Sequence, residues 1–138
     1  MSRKFYGIIL FLFITLVLFG CSLEKKPKLE ITNAKIAAGI DEKLMPVKIT
    51  DIFPQGTEKV YCWFEWKNAK INTPIAAKWY YVTDNIHILD YTFTIPRKKG
   101  TGSVSLSMPE GKTLPAGEYK LDLNKDKFTL KTLTFTIQ

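Results

Sequence analysis

The sequence predicts an all-β fold, an antiparallel sandwich of seven to eight strands, and three observations lead there. From Leu29 onward, apolar residues recur with a period of two rather than the 3.6 of a helix. Val, Ile, Thr, Tyr, Phe and Trp dominate those runs, as half-buried pleated surfaces favour. Turn residues then punctuate the runs at intervals of about 8–12 residues.

The elements follow in order. Residues 29–37 and 47–53 are the first two expected strands, and Pro54-Gln55-Gly56 turns the chain after them. Residues 59–66 alternate, with Val60, Cys62, Phe64 and Trp66 on one face and Tyr61 and Trp63 on the other. In residues 76–82, Trp79 and Tyr81 share a face opposite Lys78 and Tyr80. After the Asp84-Asn85 turn, residues 86–95 form a strand in which His87 faces away from Ile86 and Ile88. Lys99-Gly100-Thr101-Gly102 reads as a flexible connection to a strand over 104–108.

Leu114-Pro115-Ala116-Gly117 places Pro second and Gly fourth, suiting a type I turn before a strand over 118–123. Beyond the Asn124-Lys125-Asp126 turn, residues 128–137 close the domain. There Phe128 and Leu130 face inward, and the set then steps to Leu133, Phe135 and Ile137. A β-bulge near Lys131-Thr132 would make that step. Short strands at this spacing are the pattern of an immunoglobulin-like sandwich.

Composition sets the bounds. The 138 residues suit one domain, and 46% hydrophobic content supports a packed core. The formal charge of +7 includes Arg3 and Lys4, and the rest is scattered without a dense basic cluster or nucleic-acid motif. Nucleic acid is therefore not an expected partner.

The N-terminus is an address. Arg3 and Lys4 precede an apolar run from Ile8 to Phe19 broken by Thr15, which is shorter than the ~20 residues a spanning helix needs. A basic start, a short apolar middle and a small residue at the end make a secretory signal peptide over residues 1–20. Leu18-Phe19-Gly20-Cys21 resembles the lipobox of bacterial lipoprotein precursors, with Phe19 larger than the residue usual at its place. That resemblance implies a diacylglyceryl group on the Cys21 thiol and cleavage just before it. One acyl chain binds membranes marginally, whereas two anchor stably. Residues 21–28 would then be a tether, with Lys25, Lys26 and Lys28 able to reach anionic headgroups, and 29–138 the sandwich. The resemblance further implies a bacterial cell-envelope location, on the outer membrane facing the periplasm in a Gram-negative cell, since Ser22 rather than Asp follows Cys21.

The stretches 60–66, 78–81 and 114–137 together resemble small immunoglobulin-like domains of bacterial envelope lipoproteins. That likeness carries no catalytic residues across.

Chemistry is scarce. His87 is the one imidazole, and its spacing from Asp90 would put the two on opposite strand faces, a poor metal pair. With Cys21 acylated, Cys62 stands alone and reads as a small core hydrophobe. Gly100-Thr101-Gly102-Ser103 lacks the Lys and spacing of a phosphate loop. No enzyme, metal or cofactor is expected. The leading expectation is a non-enzymatic module that binds or assembles with an envelope protein, through an edge strand or an aromatic surface. The alternative is a carbohydrate-binding module reading glycan through exposed Tyr61, Trp63 and Tyr80.

Overall fold

A computed structural model describes residues 28–138. The leader, Cys21 and the tether up to Pro27 lie outside the described residues.

Among the described residues, nine strands form two sheets. In chain order they are β1 (Glu30–Ile40), β2 (Pro46–Ile49), β3 (Ile52–Phe53), β4 (Lys59–Lys67), β5 (Thr73–Tyr81), β6 (Ile86–Ile95), β7 (Gly100–Ser107), β8 (Gly117–Lys125) and β9 (Phe128–Ile137). One sheet has the order β2-β1-β4-β7 and the other β3-β9-β8-β5-β6. All pairings are antiparallel except β3 with β9. A single 3₁₀ turn, Pro109–Gly111, interrupts the β7–β8 connection.

Alternation places the core as expected. Val60, Cys62, Phe64 and Trp66 from β4 meet Ile75, Ala77 and Trp79 from β5 and Tyr119, Leu121 and Leu123 from β8, all buried. Phe135 stacks on Tyr119 with ring centroids 4.8 Å apart and meets Phe53 edge-on at 5.8 Å. The turn before β8 is locked from within. The Tyr119 hydroxyl donates to the Pro115 carbonyl at 2.6 Å, and that of Tyr81 donates to the Ala116 carbonyl. This is the corner by which a tyrosine near the start of a sandwich strand ties back to the preceding backbone.

Four local expectations need correction. The single strand over 47–53 is two strands in different sheets. The Thr50 N–H still donates to Ile36 of the first sheet at 3.1 Å, while the Asp51 carbonyl accepts from Thr136 of the second at 2.8 Å. Two neighbouring peptides thus serve different sheets, and the chain crosses the sandwich there.

Gly100 and Gly102 belong to β7 rather than to a flexible connection. A Cβ at Gly100 would lie 2.8 Å from the Trp66 ring and one at Gly102 3.0 Å from Phe64, so the absent side chains make room for core aromatics. The bulge in β9 falls at Leu130, since Leu123 pairs with Lys131 and Asn124 with Thr129. Phe128 lies beyond that bulge, opposite Lys125, and is exposed instead of inward-facing.

Candidate functional site

The three aromatic residues expected to share a surface do not share one. Tyr61 is half-buried on the outer face of β4, and Tyr80 is half-buried on the outer face of β5, so the two rings lie on opposite outsides of the sandwich. Trp63, expected to be exposed, is buried at 3% exposure. Parity does put it on the outer face, but the β1–β2 turn covers it. Asp41 organises that turn by accepting from the N–H groups of Lys43 and Met45 at 2.9 and 3.0 Å. The Trp63 Nε1–H then donates to the Leu44 carbonyl at 3.0 Å. A buried indole with its one donor satisfied is a clamp on the turn and offers no face to a glycan.

The second correction concerns His87. Leu89 pairs with Trp79 and His87 with Tyr80, which leaves Ile88 as an extra residue in β6. This bulge reverses the phase of the strand, so His87 and Asp90 come to one face. His87 Nε2 lies 2.6 Å from Asp90 Oδ1, and the imidazole sits 5.0 Å from the Tyr80 ring. Lys120 Nζ lies over the other partner of that ring system, 4.6 Å from the Tyr80 centroid and 3.6 Å from Asp122. Both members of the His87–Asp90 pair are about half exposed, so in water it contributes at most about 1 kcal/mol. Among the described residues, no group of three His, Cys, Asp or Glu side chains could hold a metal ion.

Cys62 is fully buried, and burial pushes its thiol from 9.0 up to about 12. A thiol so placed is a packing group, since nucleophilic and redox chemistry need thiolate.

What the fold leaves open is an edge. Of the four edge strands, β2 spans four residues and β3 two, and β7 offers mainly Gly, Ser and Thr along its length. The fourth, β6, is ten residues long and, among the described residues, pairs only with β5. Ile86, Leu89 and Tyr91 along it are exposed at 49%, 39% and 56%. Its inner neighbour Phe93 stays packed on Phe64 at a centroid distance of 5.6 Å, which keeps the exposed stretch anchored to the core. Tyr91 reaches past β7 to line a shallow depression with Tyr61, Ser103 and Ser105, of about 210 Å³.

These β6 residues were not singled out in the sequence. The signal was present as a step in the apolar set, from Ile86 and Ile88 to Leu89, Tyr91 and Phe93. With Ile88 as the bulge, Ile86, Leu89, Tyr91 and Phe93 pair with Tyr81, Trp79, Ala77 and Ile75 and share the core-facing side, and the first three stay exposed there because β6 is a sheet edge.

No protein-family model and no curated protein matches the sequence. Solved structures do. An immunoglobulin-like protein of Pseudomonas aeruginosa, PA1606, aligns at 12% identity over 83% of this chain and 100% of that one, with a TM-score of 0.59. OgpA of Akkermansia muciniphila aligns at 14% identity over 82% of this chain and 28% of that one, with a TM-score of 0.49. The alkylpurine DNA glycosylase AlkC of Pseudomonas fluorescens aligns at 13% identity over 89% of this chain and 33% of that one, also at 0.49. The likeness to the first shows a common fold: the described residues form an immunoglobulin-like β-sandwich.

Proposed function

We propose that this protein is a lipid-anchored module of the bacterial cell envelope, without catalytic activity, that binds a protein partner along β6. The anchor rests on the leader and on Leu18-Phe19-Gly20-Cys21, with Cys21 as the acylated residue. In a Gram-negative cell the location is the outer membrane, facing the periplasm.

The binding reading rests on one observation, the long apolar edge of β6. An exposed edge presents a row of unpaired N–H and C=O groups, and an extended segment of a partner can satisfy them as an added strand. Main-chain bonds would supply affinity. Leu89 and Tyr91, with the depression beside Tyr61, would supply side-chain selectivity.

Photocrosslinking in intact cells tests this reading. A benzoylphenylalanine in place of Tyr91 should give one discrete protein adduct, and the same group in place of Ile52, on the far edge, should give none. Adding Leu89→Lys should remove the adduct while the melting temperature holds. Equal adducts from both positions, or an adduct indifferent to Leu89→Lys, would count against the edge.

A further inference from the structure

The two ends of the sandwich differ in charge, and the tether leaves from the basic one. Strand direction sorts the loops. At the end where β1 begins lie loop 68–72, loop 96–99 and the β8–β9 turn. The first two are joined to one another. The Ala69 N–H donates to the Lys98 carbonyl at 3.0 Å and the Asn72 N–H to Ile95 at 2.7 Å, while the Trp66 indole N–H donates to the Arg97 carbonyl at 3.0 Å. Those bonds take up backbone carbonyls and leave the side chains of Arg97, Lys98 and Lys99 in solvent.

Lys70 and Lys127 are exposed on the same end, and Asp126 is the sole acidic residue of these three loops. Lys28, also exposed, enters β1 here. The opposite end carries Asp41, Glu42, Glu58, Asp84 and Glu110 in its loops, against Lys43 and Lys112.

Two apolar side chains stand among the basic ones. Ile71, in loop 68–72, is 60% exposed, and Phe128, at the start of β9, is 74% exposed. The acidic end exposes apolar side chains of its own, Leu44 at 67% and Met45 at 45%, so the basic surround is what sets these two apart. Basic side chains around isolated apolar tips match the interfacial region of a membrane, where headgroups meet the cations and the tips enter the acyl boundary.

We propose that this end of the sandwich docks onto anionic phospholipid headgroups, with Phe128 and Ile71 entering the interface. Charge complementarity argues for that surface, since each Lys or Arg near an anionic leaflet contributes about 1 kcal/mol. So does the path of the chain. The seven residue steps from Cys21 to Lys28 can reach no more than about 25 Å, at ~3.3–3.6 Å per residue. An acylated Cys21 would therefore keep this end at high effective concentration beside the leaflet. The strands then stand along the membrane normal, the acidic end points away, and β6 is open from the side along its length. The proximity rests on the anchor at Cys21, whereas the docking chemistry does not.

Spin-label depth measurements on the full chain, purified from membranes and bound to vesicles, test the docking. Buried Cys62 and an acylated Cys21 stay unlabelled, and a chain whose Cys21 proves free is labelled in a Cys21→Ser background, so Thr129→Cys, beside Phe128, and Glu42→Cys, on the acidic end, each take a single nitroxide. On phosphatidylglycerol mixed with phosphatidylcholine, collisions of the 129 label with dissolved oxygen should rise several-fold relative to collisions with an aqueous nickel chelate. The 42 label should stay aqueous. Changing Arg97, Lys98 and Lys99 together to Glu should return the 129 label to water. On phosphatidylcholine alone both labels should be aqueous.

A 129 label that stays aqueous on anionic vesicles, with the protein sedimenting on both kinds, would overturn the docking and leave the anchor standing. Sedimentation with anionic vesicles only, with the 129 label buried, would support the docking and remove the anchor. Sedimentation with neither would overturn the docking.

Discussion

Tyr119 shows how one side chain holds a corner of this fold. Its ring stacks on Phe135 in the core while its hydroxyl reaches back four residues to the Pro115 carbonyl. Tyr119→Phe keeps the stacking and orphans that carbonyl, so urea unfolding should show a loss of about 1–2 kcal/mol. Cys62 makes a different demand. Burial raises its thiol from 9.0 to about 12, and burial together with the neighbouring Tyr81 raises Tyr119 from 10.0 to about 12. The folded chain therefore keeps protons that the unfolded chain releases. The stability tied to Cys62 is fully present below pH 9 and is lost as pH rises toward 12, and that tied to Tyr119 is lost from pH 10 upward. Melting temperature should be flat up to about pH 9 and then fall, and Cys62→Ala should flatten the first part of the fall.

Among the strands, β7 and β9 carry the sharpest tests. Gly100→Ala would push a methyl group to 2.8 Å from the rigid Trp66 ring, so it should cost about 1–3 kcal/mol in chemical denaturation. Ending the chain after Leu130 removes Leu133, Phe135 and Ile137, leaves β3 without a partner and leaves β8 paired with β5 alone. The truncated protein should show no cooperative melting by calorimetry.

These strands also show what the sequence could and could not disclose. The β4 and β8 faces were legible because local alternation decides them. The β2–β3 split was not, because Val47, Ile49 and Phe53 keep parity through the crossing, and only distant backbone partners divide it. Trp63 was misplaced for a similar reason: parity put it outside, and a turn from another hairpin covers it. His87 and Asp90 met because Ile88 bulges, and the cue to that bulge is the step of the apolar set from Ile88 to Leu89, which alternation alone passes over.

Across the whole molecule, the sandwich has a polarity that its strands do not need for folding. One end is basic and the other mostly acidic, and one of its four edges is long and apolar. A rigid body with a distinct end and a distinct side suits a part fixed to a leaflet and approached laterally. That reading depends on Cys21 more than on any residue of the core, because the anchor gives the polarity a reference surface. The intact mass of the protein extracted from native membranes is the direct measurement. The account predicts a chain beginning at Cys21 and heavier than its residues by a diacylglyceryl group, with or without a further acyl chain on the new N-terminus. A chain still beginning at Met1, or a Cys21 thiol that reacts freely with a maleimide, would contradict it.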